Sequence, residues 1–303
     1  MQVQYVPYQH IDKQKWDTCI SHAGNRLIYA FSFYLDAMAR HWDALVLNDY
    51  EYVMPLVCNK KYGIWYLYQP PLTASLGVFG KVLSPGVVQQ FLSGIPARYR
   101  YADIYLNYAN HYAVPGFALY TRTNYVLNLQ QPYEVLYSNY RENIRRNIKK
   151  CIQMNCTVQK DIAPAAVIAL AREQLNKITT LTGADYNNFE QLYHLLHSQD
   201  KAITYGVFGA SGQLLASCIF FMDGGRAYYM LVGNHPDGKT IGASHTVIDA
   251  FIKDYAGQNM LLDFEGSDIR NLAFFYSSFG AVQEIYPGLK MNRLPGWLRW
   301  LKK

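Results

Sequence analysis

Apolar residues recur along this chain at two spacings, and stretches of the two alternate. Short helical segments are expected near 13–20 and 31–40. The apolar runs 44–47 and 52–57 flank Asn48 and Asp49, the pattern of a β-hairpin. Residues 64–68 read as an aromatic strand stopped by Pro70 and Pro71. A short helix over 87–92 follows Pro85 and Gly86, and 104–106 and 125–129 read as strands.

The second half repeats this order. Residues 164–181 form an expected helix with Pro164 in its first turn, where the missing N–H costs nothing. A second helix is expected over 189–197. Strands over 203–208 and 214–221 are joined at Ala210-Ser211-Gly212, and a third, 227–232, follows Asp223-Gly224-Gly225. Val247, Ile248, Phe251, Ile252 and Tyr255 repeat at helical spacing. A strand over 260–264, a helix over 271–279 and a last strand over 282–286 complete the pattern. Each half thus reads as helices, antiparallel strands, helix, strand. The class is α+β with one unit used twice, each a mixed, mainly antiparallel sheet flanked by helices. The expected boundaries are 1–135 and 136–303.

Composition adds two facts to this picture. Of 303 residues 27 are tyrosine, which buries a ring and keeps a hydroxyl for polar partners. The net charge is +6, and a single segment holds most of it: Arg141, Arg145, Arg146, Lys149 and Lys150 face one acid, Glu142. Here Tyr137, Ile144, Ile148, Cys151 and Ile152 form an apolar stripe, so a basic helix over 138–153 is expected at the junction, packed on one side and cationic on the other. A cationic helix face suits phosphates.

Some chemistry is excluded. The five cysteines are odd in number and form no CxxC pair, so neither a disulfide framework nor a metal site is expected. Phosphate-loop, dinucleotide and nucleophile-elbow motifs are missing. His194 and His197 share a helix face with no third ligand nearby, so they read as a surface pair. Ser244 and His245 are adjacent on a helix, point apart and make no nucleophile–base pair. No apolar run suits a membrane span and Met1–Tyr5 does not resemble a signal peptide, so a cytoplasmic location is expected.

Four stretches resemble the GNAT acyltransferases, and more closely the FemAB-type transferases, which place two such units in tandem. They are Gln69-Pro-Pro-Leu-Thr-Ala-Ser-Leu-Gly77, the basic helix Tyr140-Arg-Glu-Asn-Ile-Arg-Arg-Asn-Ile-Lys-Lys150, Leu262-Asp-Phe-Glu-Gly-Ser267 and Tyr276-Ser-Ser-Phe-Gly280. The resemblance implies an N-acyltransferase that moves an acyl or aminoacyl group to an amine. The donor would be acyl-CoA or aminoacyl-tRNA. The acceptor would be a small molecule or peptide, as on a cell-wall precursor. In the GNAT pattern an acyl-CoA pyrophosphate loop corresponds to Lys239-Thr-Ile-Gly242-Ala243-Ser244, which departs from that pattern at both ends.

Within this frame Glu265, at the end of the strand 260–264, is the candidate general base, and Asp263 inside that strand reads as structural. Tyr276 is the candidate proton donor to the leaving group. Backbone N–H groups of 229–232 would hold the carbonyl. Lys239, Gly242, Ala243 and Ser244 precede a helix, where N–H groups attract phosphate. Arg141, Arg145, Arg146 and Lys149 are candidate contacts to the phosphates of tRNA, CoA or a nucleotide-linked precursor. The segment 294–303, with Trp297, Trp300 and Leu301 among cations, is a candidate peripheral membrane contact. The alternative to an enzyme is a GNAT-like binding module that has lost its chemistry.

Overall fold

Asp12 opens the first helix by accepting the Lys15 N–H, which satisfies one of the donors a helix start leaves over. In the computed structural model, which describes residues 2–175, 180–266 and 268–297, two compact units form. One comprises residues 1–123 and 285–303, the other 124–284.

The first unit runs β1 (Gln4–Val6), α1 (Lys13–His22), α2 (Ser32–Met38), β2 (Trp42–Leu47), β3 (Tyr52–Lys61), β4 (Ile64–Tyr68), β5 (Phe79–Gly80), α3 (Pro85–Ser93) and β6 (Tyr99–Tyr105). β7 (Ala118–Asn128) carries the chain into the second unit. β1 to β4 are antiparallel neighbours in that order, and β6 joins β4 in parallel. Leu45, Leu56, Phe91 and Tyr99 lie in the core under this sheet. Ser84 caps α3 through the Val87 N–H, with Pro85 at its first position.

The second unit continues with α4 (Tyr133–Ser138), α5 (Glu142–Gln153), β8 (Thr157–Lys160), α6 (Pro164–Leu175), α7 (Gly183–His197), β9 (Ala202–Phe208), β10 (Leu214–Asp223), β11 (Arg226–Asn234), α8 (Pro236–Ile241), α9 (Ala243–Tyr255), β12 (Leu261–Asp263) and α10 (Arg270–Ser277), and β13 (Val282–Asn292) carries the chain back into the first unit. Its sheet has the order β7-β12-β11-β10-β9-β8, in which only β12 and β11 are parallel. Phe220, Phe251, Ile248 and Tyr205 fill the core between the sheet and α9, and the Phe220 and Phe251 rings stack at 3.9 Å. Both units are therefore mixed, mainly antiparallel sheets with helices.

The structure moves several expected boundaries. The second half does not keep its tail, because Gly288–Asn292 of β13 pair with Tyr101–Tyr105 of β6 in the first unit. That pairing joins positions far apart in sequence, so no local pattern signals it. α7 starts at Gly183, six residues before 189, where Thr182 and Asp185 form a reciprocal capping box. α6 is described over Pro164–Leu175, residues 176–179 of the expected helix lie outside the described residues, and 180–181 are not helical. On α5, Ile144, Ile148 and Cys151 are buried, but Ile152 is 63% exposed and does not belong to the packed stripe. No helix among the described residues is long and apolar enough to cross a membrane.

Candidate active site

β11 and β12 run side by side for only a short distance. Arg226, Ala227 and Tyr228 pair with Leu261, Leu262 and Asp263, and there β12 ends. β11 runs on to Asn234. Beyond β12 the chain stays with β7 on the other side, since the Phe264 N–H donates to the Tyr125 carbonyl at 3.0 Å. In β11 itself Met230 is an extra residue between the pairs Tyr229–Phe220 and Leu231–Ile219, a bulge that bends the strand. The two parallel strands therefore part at Tyr228 and Asp263 and leave an opening at their C-terminal ends.

Glu265 sits at this opening. Its backbone φ is 66°, a left-handed conformation uncommon outside glycine, and Gly266 follows at 82°. The turn is held by Asp263. One carboxylate oxygen of Asp263 accepts the Glu265 N–H at 2.8 Å and Asn124 Nδ2 at 2.8 Å. The other accepts Arg226 Nε at 2.7 Å. Arg226 also reaches Glu284 at 2.6 Å. Burial raises the carboxyl of Glu284 above its usual range, against the opposing pull of Arg226. Arg226 and Asp263 are almost fully buried, so neither tolerates loss of its partner.

Tyr276 comes from α10. Its ring stacks on Phe264 at 4.7 Å and lies edge-on to Tyr229 at 6.3 Å. Burial, then the nearby Cys218 and Glu265, push its phenol up, so it keeps its proton through neutral pH. Cys218 on β10 is fully buried beside the same groups, and burial drives its thiol far up. It is a neutral wall of the site, not a thiolate nucleophile. Tyr276 is thus packed on Phe264, the residue before Glu265. The sequence reading missed Arg226, Asn124, Glu284, Cys218 and Tyr229. One signal was available: an arginine standing between the turn Asp223–Gly225 and an apolar strand needs an acidic partner.

The other candidates surround α9. Gly242, with φ of 83°, links α8 to α9. A Cβ there would lie 2.5 Å from the Asn147 carbonyl oxygen, so this glycine lets α5 pack closely on the turn. Lys150 of α5 donates to the Thr240 carbonyl at 2.7 Å. Ala243 is buried, Ser244 half-buried and Lys239 exposed. Of the cations, Arg146 and Lys149 are exposed, Arg145 is half-buried, and Arg141 lies over the Phe274 ring at 4.7 Å. The α5 backbone therefore covers the Gly242 turn while Arg146 and Lys149 face solvent. Next to them His245 is half-buried, and the loss of water around its ring lowers its imidazole to about 4. The surface histidines resolve differently: His197 bonds the Ala202 carbonyl at 2.9 Å and stacks on Tyr193.

In the first unit His41, Asp43 and Cys58 bring three ligand-type atoms within 4.8 Å of one another. One Asp43 oxygen already accepts Tyr5 and Tyr99 hydroxyls at 2.8 Å and Arg98 at 2.6 Å, which makes the group a buried ionic network. Burial pushes the Cys58 thiol up to about 11, the wrong direction for a metal ligand.

The strand pair that parts beside a bulge lies under a helix that starts at Gly242. Residues 138–268 match the family model of the acetyltransferase (GNAT) domain. A sequence search of curated proteins finds no match. Among solved structures the chain is similar to FemX, at 11% identity, with a TM-score of 0.67 and both chains covered in full. It is also similar to the C-terminal domain of a protein from Agrobacterium fabrum named as a lysylphosphatidylglycerol synthetase, at 10% identity and a TM-score of 0.57, covering 93% of this chain and 92% of that one. A GNAT-family acetyltransferase from Colwellia psychrerythraea gives 12% identity and a TM-score of 0.54, covering 96% of this chain and 100% of that one. The stretch that matches the GNAT-domain model lies within the second unit, and the chain as a whole shares the fold of these solved structures.

Proposed function

We propose that the protein is an N-acyltransferase that moves an acyl or aminoacyl group from an activated ester or thioester to an amine. The observation that carries this reading is the parting of β11 and β12 with Glu265 and Tyr276 at its mouth. The amine nitrogen attacks the carbonyl carbon, and Glu265 takes the proton the nitrogen sheds. The carbon–oxygen or carbon–sulfur bond breaks, and Tyr276 gives its proton to the leaving atom. Water returns the proton from Glu265 to Tyr276. Backbone N–H groups beside the bulge of β11 would polarise the carbonyl. Holding both reactants in the opening supplies much of the rate.

For the carrier, the α5 backbone over the Gly242 turn favours aminoacyl-tRNA above acyl-CoA. A CoA pyrophosphate would need that turn, whereas RNA phosphates would meet Arg146 and Lys149 on the outer face of α5. The acceptor we propose is a small-molecule or peptide amine, including that of a cell-wall precursor, met in the cytoplasm.

Transfer of labelled amino acid from charged tRNA, and of labelled acetate from acetyl-CoA, to a panel of amines tests both carriers. Glu265→Gln should slow turnover about 100-fold or more. Arg146→Glu with Lys149→Glu should raise KM for the tRNA donor and leave an acyl-CoA reaction unchanged. Turnover untouched by Glu265→Gln would remove the mechanism. Ligand binding without turnover from either donor would mark a binding module.

A further inference from the structure

The first unit carries a second feature that the transfer reading does not use. The hairpin between β3 and β4 turns at Tyr62 and Gly63, both left-handed at φ 49° and 80°. Glycine suits such a turn and tyrosine resists it. Yet Tyr62 is 92% exposed, so its ring gains no packing in return. Lys60 and Lys61 precede it, both exposed, and Lys61 Nζ stands 5.5 Å from the Tyr62 ring centre. A strained, fully presented aromatic beside two lysines reads as a recognition element.

A cleft of about 1210 Å³ extends from this tip over the outer face of β4 and β6. Tyr66 and Tyr101, paired across the two strands, contribute to its lining, as do Arg100 and Trp297. The C-terminal segment is fixed there, because Arg293 N–H donates to the Arg100 carbonyl at 2.7 Å and Leu294 is buried. Three residues on, Trp297 is 74% exposed. Lys61, Arg98 and Arg100 line the cleft with one acid, Asp103, whose carboxylate accepts the Tyr120 hydroxyl at 2.7 Å. Arg98 is matched by Asp43, which leaves Lys61 and Arg100 as the outward charges.

We propose that this face of the first unit docks on an anionic phospholipid membrane. Tyr62 and Trp297 enter the headgroup layer, and Lys61 and Arg100 meet lipid phosphates. Rings with an apolar body and a polar tip settle at that depth, and lysine and arginine side chains carry charge to the surface. Charge sign selects the lipid. Exposure of the rings selects a membrane above a single-stranded RNA: Tyr62 and Trp297 project into solvent, 92% and 74% exposed, whereas base stacking uses successive rings along a groove floor. The sequence beyond Trp297, with Arg299, Trp300, Lys302 and Lys303, continues the same composition but lies outside the described residues.

Co-sedimentation of the full chain with vesicles tests the proposal independently of any transfer activity. Vesicles with about 30 mol % phosphatidylglycerol at about 0.1 M salt should pellet the protein at least tenfold better than pure phosphatidylcholine, and higher salt should release it. Tyr62→Gly, which suits the turn, combined with Trp297→Ala should weaken binding roughly tenfold. Lys61→Glu with Arg100→Glu should weaken it by a similar factor, and Ile152→Ser in the second unit should not change it. Far-UV circular dichroism and a thermal melt confirm that each variant is folded. A wild type that stays in the supernatant overturns the proposal. So do variants that bind as tightly as wild type. Capture of a fluorescent oligouridylate without vesicle binding would overturn it in favour of a nucleic-acid site.

Discussion

The first unit contains the parallel pair β4–β6 and the second the parallel pair β11–β12, and these two pairs end differently. In the first unit Trp65, Tyr66, Leu67 and Tyr68 pair with residues from Tyr99 to Asp103, so β4 stays joined to β6 through its last residue. In the second unit β11 leaves β12 at Tyr228 and continues past a bulge. Both units also bury a carboxylate against an arginine. Asp43 spends its bonds on Tyr5, Tyr99, Arg98 and the Tyr8 N–H, all in the frame of the sheet. Asp263 spends one on the Glu265 N–H and so shapes the opening. Two parallel strand pairs with buried carboxylates do not make two such sites. The site needs the strands to part and a buried ion pair whose spare lone pair fixes the next turn.

The sharpest break of this comparison removes the arginines. Arg226→Met leaves Asp263 and Glu284 buried without a counter-charge and should cost about 3–5 kcal/mol in urea unfolding. Arg98→Met, at a half-exposed side chain, should cost less, about 1–2 kcal/mol after solvent screening. Equal costs would mean that the two clusters do the same work.

Acid should separate the units next. His245 binds its proton only near pH 4 when folded and near pH 6.5 when unfolded. The unfolded state then holds more protons below about pH 6.5, so stability falls as pH drops from there to 4. The full loss is about 3 kcal/mol, and His245→Gln should remove that slope in denaturant titrations at several pH values. Asp43 has the same sign but a lower pH window. Burial alone would raise its carboxyl, but hydrogen bonds from Tyr5, Tyr8 and Tyr99 outweigh it and hold it below the usual range. Its contribution is complete above the unfolded value of about 3.9 and is lost only below that. On His245 and Asp43 the second unit should weaken first on acidification, with the raised carboxyl of Glu284 opposing part of the loss. A first unit that melts earlier at pH 5 would contradict this.

Two glycines give the smallest contrast. Gly242→Ala drives a Cβ into the Asn147 carbonyl and should cost about 2 kcal/mol in thermal melts. Gly63→Ala meets nothing within 4 Å and carries only the left-handed backbone penalty, about 1 kcal/mol. Similar values would show that α5 yields easily at the turn.

Much of the fold was legible because its elements announce themselves locally. The run Ile64–Tyr68 is bounded by a turn and two prolines, and the helical spacing of Val247, Ile248, Phe251 and Ile252 marks α9. Pro164 and Pro85 mark helix starts for the same reason, a fixed φ and no N–H to satisfy. β1 and β8 were not legible, because three or four residues of mixed polarity carry no period. Glu265 and Tyr276 could be named from their place at a strand end and a helix end. Their placement at one opening could not, since it depends on a bulge at Met230 and a ring stack with Phe264.

The chain by itself determined most of its longer helices and strands and where its positive charge lies. Those follow from spacing and composition, which are local. Tertiary structure decided that residues 285–303 join the first unit, that Gly242 serves a helix contact, and that Arg226 and Asp263 underpin the turn at Glu265. Each of these is a pairing between distant positions, made favourable only when burial removes water and leaves a polar group or a glycine with one remaining partner.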